Sequence, residues 1–89
     1  MKILLVEDNT DILNNLQCLL EKEGYIVVCA KTYKEARKII YESNFDLFIL
    51  DIMLNDGNGY DLYCKFIKEL DKPTIFLTAK DDEESIVSC

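Results

Sequence analysis

Asp51 is the residue whose setting asks for a chemical explanation. In "LFILDIMLNDGNGYDL", residues 47–62, four apolar residues run into it, three more follow, and the segment breaks into Asn55, Asp56, Gly57, Asn58 and Gly59. An ionised carboxylate buried without a partner is very costly, so Asp51 ends a strand, faces a cation, or does not belong to a buried segment at all. Glu7 and Asp8 directly follow a second apolar run, "ILLV". These three carboxylates, in a chain with no histidine, make an oxygen-only ligand set. Such a set favours a hard ion, and Mg2+ typically takes one or two carboxylates, a phosphate oxygen and several waters. Thr78 closes the run "TIFLT" with the small Ala79 after it, and its hydroxyl has the chemistry to donate to a phosphoryl oxygen on Asp51. Taken singly, each residue has an ordinary reading: an Asp at a strand end caps or turns the chain, and a Thr fits any strand. Two acidic residues after one strand and a third after its neighbour would make a site.

That convergence depends on the elements. "KILLVE", Lys2 to Glu7, is an apolar run bounded by charge, the pattern of a strand covered on both faces. Ile12, Leu13, Leu16, Leu19 and Leu20 recur at helical spacing, and Gly24 supplies the stop. "YIVVCA", Tyr25 to Ala30, reads as a second strand, and Thr32 with Glu35 as a capping box for a helix burying Ala36, Ile39 and Ile40. "DLFILDIM" is a third strand, followed by a turn with two glycines and a helix carrying Leu62, Tyr63, Phe66, Ile67 and Leu70. Gly57 and Gly59 are assigned to the turn and the helix start. Pro73 restarts the chain into a fourth strand, and acidic residues from Asp82 suit the first turn of a fourth helix.

Strand alternating with helix at short loop lengths predicts right-handed βαβ units, hence an α/β fold with an open, doubly wound parallel sheet. Ligands of such sheets bind beyond the carboxyl ends of the strands, where strand order reverses. The flavodoxin-like order 2-1-3-4-5 sets strands 1 and 3 side by side, and so brings Glu7, Asp8 and Asp51 to one edge.

Composition narrows the function. The 89 residues, 49% hydrophobic and 30% charged, fit one small globular domain over residues 1–89. Seventeen acidic against ten basic residues give a formal net charge of -7, which disfavours direct nucleic-acid or membrane-surface binding. Cys18, Cys29, Cys64 and Cys89 show no metal-binding spacing, and four reduced thiols in a cytoplasmic protein are expected. No segment approaches bilayer-spanning length or a signal-peptide core. "VEDNTD" has no glycine, so neither a P-loop nor a dinucleotide fingerprint follows strand 1. The haloacid-dehalogenase phosphatases place a second Asp two positions after the nucleophile, where this chain has Met53.

"ILLVEDN", "DLFILDIML" with Gly59, and "PTIFLTAKDD" together resemble the receiver domains of bacterial two-component response regulators, over nearly the whole chain. The resemblance implies that Asp51 is a phosphoacceptor for a sensor histidine kinase, and so part of a switch and not an enzyme. It implies that Asp8, Asp51 and the backbone carbonyl of Met53 hold Mg2+, with Glu7 acting through a coordinated water. It also implies that Thr78 moves toward the phosphoryl group and changes the strand 4 and helix 4 surface. "AKDDEE" resembles the winged-helix transcription-factor branch, so DNA binding is expected of a longer parent and not of this piece.

Two departures stand out. Asn55 occupies a position where the family often has proline. The family's fifth strand, its lysine and its last helix have no counterpart in residues 1–89, and Lys80 lies on the wrong loop to replace that lysine. The chain is therefore expected to be a receiver truncated before its fifth βα unit, order 2-1-3-4. Strand 4 would then be an unpaired apolar edge, through which, or through an exchanged C-terminal segment, the chain is expected to self-associate. The alternative is a phosphorylation-incompetent interaction or dimerisation fragment on the same scaffold.

Overall fold

Alternate residues of the central strands point to opposite sides of one sheet, and both sides are covered, which is why these strands are apolar at nearly every position. The computed structural model describes residues 1–77. In chain order the elements are β1 (Lys2–Val6), α1 (Thr10–Lys22), β2 (Ile26–Ala30), α2 (Tyr33–Glu42), β3 (Leu47–Asp51), β4 (Met53–Leu54), β5 (Gly57–Asn58), α3 (Gly59–Leu62) and β6 (Thr74–Leu77). A π-helical turn, Tyr63–Ile67, and a 3-10 turn, Lys68–Leu70, continue α3. β2, β1, β3 and β6 form a parallel sheet in that order. The expected α/β fold and order 2-1-3-4 are thus observed, with β6 as the fourth strand.

On one side of the sheet Ile3, Leu5, Val27 and Ile49 meet Leu13 of α1, with Leu16 and Leu20 packed alongside. On the other, Leu4, Val6, Phe48 and Leu50 meet Ala36 and Ile40 of α2 and Leu62 and Ile67 of the α3 segment. Phe45 stands edge-on to Phe48, with ring centroids 5.7 Å apart. The apolar face of α1 is narrower than its periodicity suggests. Ile12 and Leu19 are exposed, because Leu13, Leu16 and Leu20 already fill the line that faces the sheet.

The helix ends follow local chemistry. Asn9 caps α1 by accepting from the Ile12 N–H at 3.1 Å. Gly24, at φ +94°, closes it in a Schellman arrangement, in which the Gly24 and Tyr25 N–H groups donate to the Glu21 and Leu20 carbonyls. Thr32 accepts from the Glu35 N–H at 3.0 Å, as the capping box requires, but the Glu35 carboxylate returns to the Lys31 N–H at 2.8 Å, one residue earlier than the motif.

Three readings needed revision. The expected glycine turn contains a short antiparallel hairpin, β4 with β5, in which Met53 pairs with Asn58 and Leu54 with Gly57. The expected third helix is α-helical for four residues only and then widens into the π turn. Leu62 and Ile67 are five residues apart and both fully buried, and π winding brings that spacing onto one face where α winding would not. Cys18 and Cys29 are free, whereas Cys64 is disulfide-bonded, against the expectation of four thiols. The fourth helix and the end of the fourth strand, with Thr78 and Ala79, lie outside the described residues. β6 ends the sheet among the described residues, with Ile75 48% exposed.

Candidate functional site

The site lies where β1 and β3 end together. Val6 is the register partner of Leu50, so the next residues, Glu7 and Asp51, emerge side by side at the carboxyl edge. The Glu7 N–H still reaches the Ala30 carbonyl at 3.0 Å, and the Ile52 N–H the Leu77 carbonyl at 3.3 Å. The backbone beneath the carboxylates is therefore held on both sides. Glu7 is 4% exposed and Asp51 7%, with Asp8 half-buried, and one carboxylate oxygen from each of the three lies within 4.8 Å of the others.

Such crowding has an electrostatic consequence. Burial first, then the neighbouring charges of Asp51 and Asp8, push the Glu7 carboxyl up to about 7, against the lowering effect of the Asn9 N–H, which donates to Glu7 Oε2 at 3.1 Å. Burial also raises Asp51, opposed by the Met53 N–H, which donates to Asp51 Oδ1 at 3.4 Å, and by a hydrogen bond from the Glu7 carboxyl. Without a cation, a proton shared by the pair would offset this repulsion, in keeping with the upward shift of both groups. A cation in the proton's place would relieve desolvation and repulsion at once. The cluster offers oxygen donors only, enough for the one or two direct carboxylate ligands that Mg2+ takes with a third carboxylate beside them, so the residues fit that ion.

Gly59 contributes space. A Cβ there would overlap the Asp51 carbonyl oxygen and lie 3.0 Å from the Asp51 carbonyl carbon and 3.1 Å from Ile52 Cα. The Gly59 N–H donates to the Ile52 carbonyl at 2.8 Å, so the start of α3 presses on the backbone of the site. Neither Gly57 nor Gly59 has a positive φ, and close approach, not turn conformation, is what requires glycine at 59.

Of the residues singled out in the sequence, Glu7, Asp8 and Asp51 are brought together, and Met53 is joined to Asp51 through its N–H with its side chain exposed. Thr78 and Ala79 lie outside the described residues; Leu77, just before them, is the register partner of Asp51. Two residues beside the site, Tyr33 and Asp56, carried no local signal in the sequence. The Tyr33 N–H donates to Asp56 Oδ1 at 2.7 Å across 23 residues of chain. The open groove of about 860 Å³ between α2 and the end of the α3 segment, lined in part by Arg37, Lys38, Tyr41, Phe66 and Leu70, includes none of the three carboxylates.

A doubly wound parallel sheet with an acidic cluster at the ends of its two central strands is the arrangement of a class of α/β signalling modules. The chain belongs to the response regulator receiver domain family, whose sequence pattern matches residues 3–89. Solved structures agree. The non-phosphorylated HemR receiver domain from Leptospira biflexa is 45% identical, with a TM-score of 0.81 over 89% of this chain and 64% of its own. The response regulator TrrA from Thermotoga maritima, in complex with Mg2+-BeF, is 34% identical, with a TM-score of 0.83 over 90% of this chain and 70% of its own. A two-component response regulator from Clostridium difficile is 32% identical, with a TM-score of 0.87 over 97% of this chain and 71% of its own. The chain thus spans about two thirds of the length of these relatives. No helix among the described residues is long and apolar enough to cross a membrane.

Proposed function

We propose that the chain is a phosphoacceptor module: Asp51 takes a phosphoryl group from the phosphohistidine of a sensor kinase. The observation that carries this reading is the convergence of Glu7, Asp8 and Asp51 at the carboxyl edge of β1 and β3. An Asp51 carboxylate oxygen forms a bond to phosphorus, the bond from phosphorus to the donor nitrogen breaks, and its electron pair leaves with the imidazole. The product on Asp51 is an acyl phosphate. Asp8, Asp51 and the Met53 carbonyl would hold Mg2+, with Glu7 reaching it through water; bound there, the ion offsets the charge gathering on the phosphoryl oxygens. Thr78, one residue beyond the partner of Asp51, is assigned to contact those oxygens and carry the change to the β6 surface. Control of transcription belongs, in this reading, to a longer parent protein in the cytoplasm.

TrrA supports the assignment, since a relative 34% identical has been captured with Mg2+ and a beryllofluoride group. The test is to incubate the chain with acetyl phosphate and Mg2+ and weigh it intact. One phosphoryl adduct is expected in the wild type and none in Asp51→Asn, with the fold unchanged by circular dichroism. A folded wild type that gains no adduct would favour the phosphorylation-incompetent interaction scaffold instead.

A further inference from the structure

The β4–β5 hairpin carries Met53, and Met53 is the backbone partner of Asp51. Two paired residues per strand give a ladder with almost no stability of its own. Its tip is Asn55–Asp56, and neither of these residues nor Gly57 has a positive φ. The tip is therefore not one of the primed two-residue turns whose twist holds a hairpin closed. The bond from Met53 to Asp51, at 3.4 Å, is already beyond the usual N–H···O range, so a small drift of the hairpin would break it. Something outside the hairpin must keep it in place.

The start of α2 does so. The Asp56 carboxylate accepts from the Tyr33 N–H at 2.7 Å and from the Lys34 N–H at 3.2 Å, taking two of the unpaired donors of the first turn. The Tyr33 ring lies so close over Gly57 that a Cβ there would sit 2.5 Å from Tyr33 Cδ2. The Tyr33 hydroxyl donates to Asp61 Oδ2 at 2.6 Å, and Asp61 is in the first turn of α3, capped by Asn58, the ladder partner of Met53. The ionisation of these groups agrees: the Tyr33 N–H holds the Asp56 carboxyl below the usual range, and burial followed by the bond to Asp61 pushes the Tyr33 hydroxyl up to about 12. The tip of the hairpin and the helix turn that follows it are thus both tied to the start of α2.

We propose that Asp56 and Tyr33 are positioning residues that clamp the β4–β5 hairpin to α2 and so hold the Met53 backbone against Asp51 for Mg2+ binding. The metal part rests on the reading of Asp51 and Met53 under Proposed function; the clamp itself does not. Thr32 is the natural control. It caps the same helix start through its hydroxyl but makes no bond to the hairpin in this network.

The experiment uses the 89-residue chain and two readouts: hydrogen exchange of the Met53 amide without metal, and titration with Mg2+ alone followed by amide chemical shifts. Asp56→Ala is expected to speed Met53 exchange and to weaken Mg2+ binding about 10-fold, the usual range for losing a supporting contact. Asp56→Asn keeps one acceptor for the Tyr33 N–H and is expected to recover most of both. Tyr33→Phe, which keeps the ring over Gly57 and loses the bond to Asp61, should fall between them and serves if Asp56→Ala does not fold. Thr32→Ala is expected to lower Tm while leaving both readouts near wild type. Wild-type exchange at Met53 in Asp56→Ala overturns the clamp. So does a Thr32→Ala variant that matches Asp56→Ala in both readouts, because general loosening of α2 would then explain everything. A wild type that binds no Mg2+ overturns the metal step and the site reading beneath it, while Met53 exchange still decides the clamp separately.

Discussion

Leu50 and Asp51 are neighbours on one strand, 0% and 7% exposed, and they obey opposite physics. Leu50 is stabilising because it is out of water, packed with Leu4, Val6 and Phe48 on the α2 side of the sheet. Asp51 is out of water at a cost, shown by the upward push that burial gives both it and Glu7. The body of β3 supplies the stability that its last residue spends. The central strands therefore have to be apolar on both faces, since a half-wet sheet would leave less to hold three crowded carboxylates together.

The largest effect should come from breaking the body of the strand. Phe48 is fully buried between Phe45 and the α2 side of the core. Phe48→Ala is expected to cost about 3–5 kcal/mol, the range for a truncated core aromatic. That is a large share of the stability of a domain this small, and urea unfolding should show a strongly reduced midpoint at unchanged slope. A loss under about 1 kcal/mol would mean that the core collapses around the cavity and that the strand body is less rigid than its packing suggests.

An intermediate effect is expected where body and mouth meet. At Gly59 an added methyl would strike backbone atoms of Asp51 and Ile52, which cannot rotate away. Gly59→Ala should destabilise by about 1–3 kcal/mol as an overpacked site and also weaken Mg2+ binding, because the shifted backbone belongs to Asp51. Gly24→Ala is the contrast. Its Cβ would meet nothing within 4 Å, so any cost there comes from the +94° φ alone and should leave metal binding untouched.

How much of this could be read from the chain follows the same division. The body of the sheet was legible because burial on both faces writes itself as unbroken apolar runs, and the runs "KILLV" and "LFIL" could be little else. The meeting of Glu7, Asp8 and Asp51 was legible because topology alone sets strands 1 and 3 together, whatever the side chains do. The details that support the mouth were not. An arm of two residues has no periodicity, so β4 and β5 were hidden inside a glycine turn. The tie from Tyr33 to Asp56 joins residues 23 apart through a backbone N–H that every residue type but proline carries. Gly59 was placed at the helix start, where α3 does begin, but its close approach to the Asp51 backbone was hidden, because the sequence shows that glycine is present and not what stands beside it.

The smallest effect, and the one that separates the two regions most cleanly, is in the response to pH. A core of Leu, Ile and Phe does not titrate, so among the described residues the slope in stability expected between about pH 4.5 and 8 belongs to the mouth. Glu7 sits at about 7 in the folded protein against 4.5 in the ordinary case, so between those values the folded state binds more protons than the unfolded one. Stability from this group is therefore fully present below about pH 4.5 and is lost as pH rises through about 7; Asp51, also raised, adds in the same direction. Asp56 and Asp61 are lowered and act oppositely, but their contribution is lost only on acidifying below the ordinary carboxylate range, which leaves the window above pH 4.5 to the buried pair. In metal-free buffer Tm should fall by roughly 5 °C between pH 5 and pH 8, a modest fraction of a core truncation. Glu7→Gln removes the charge and should flatten that slope while raising Tm at pH 8. Millimolar Mg2+ should restore the wild type at pH 8 and act least at pH 5, where the proton already occupies the pair. A metal-free Tm that rises from pH 5 to pH 8 would show that a cationic group, not a shared proton, offsets the two buried carboxylates.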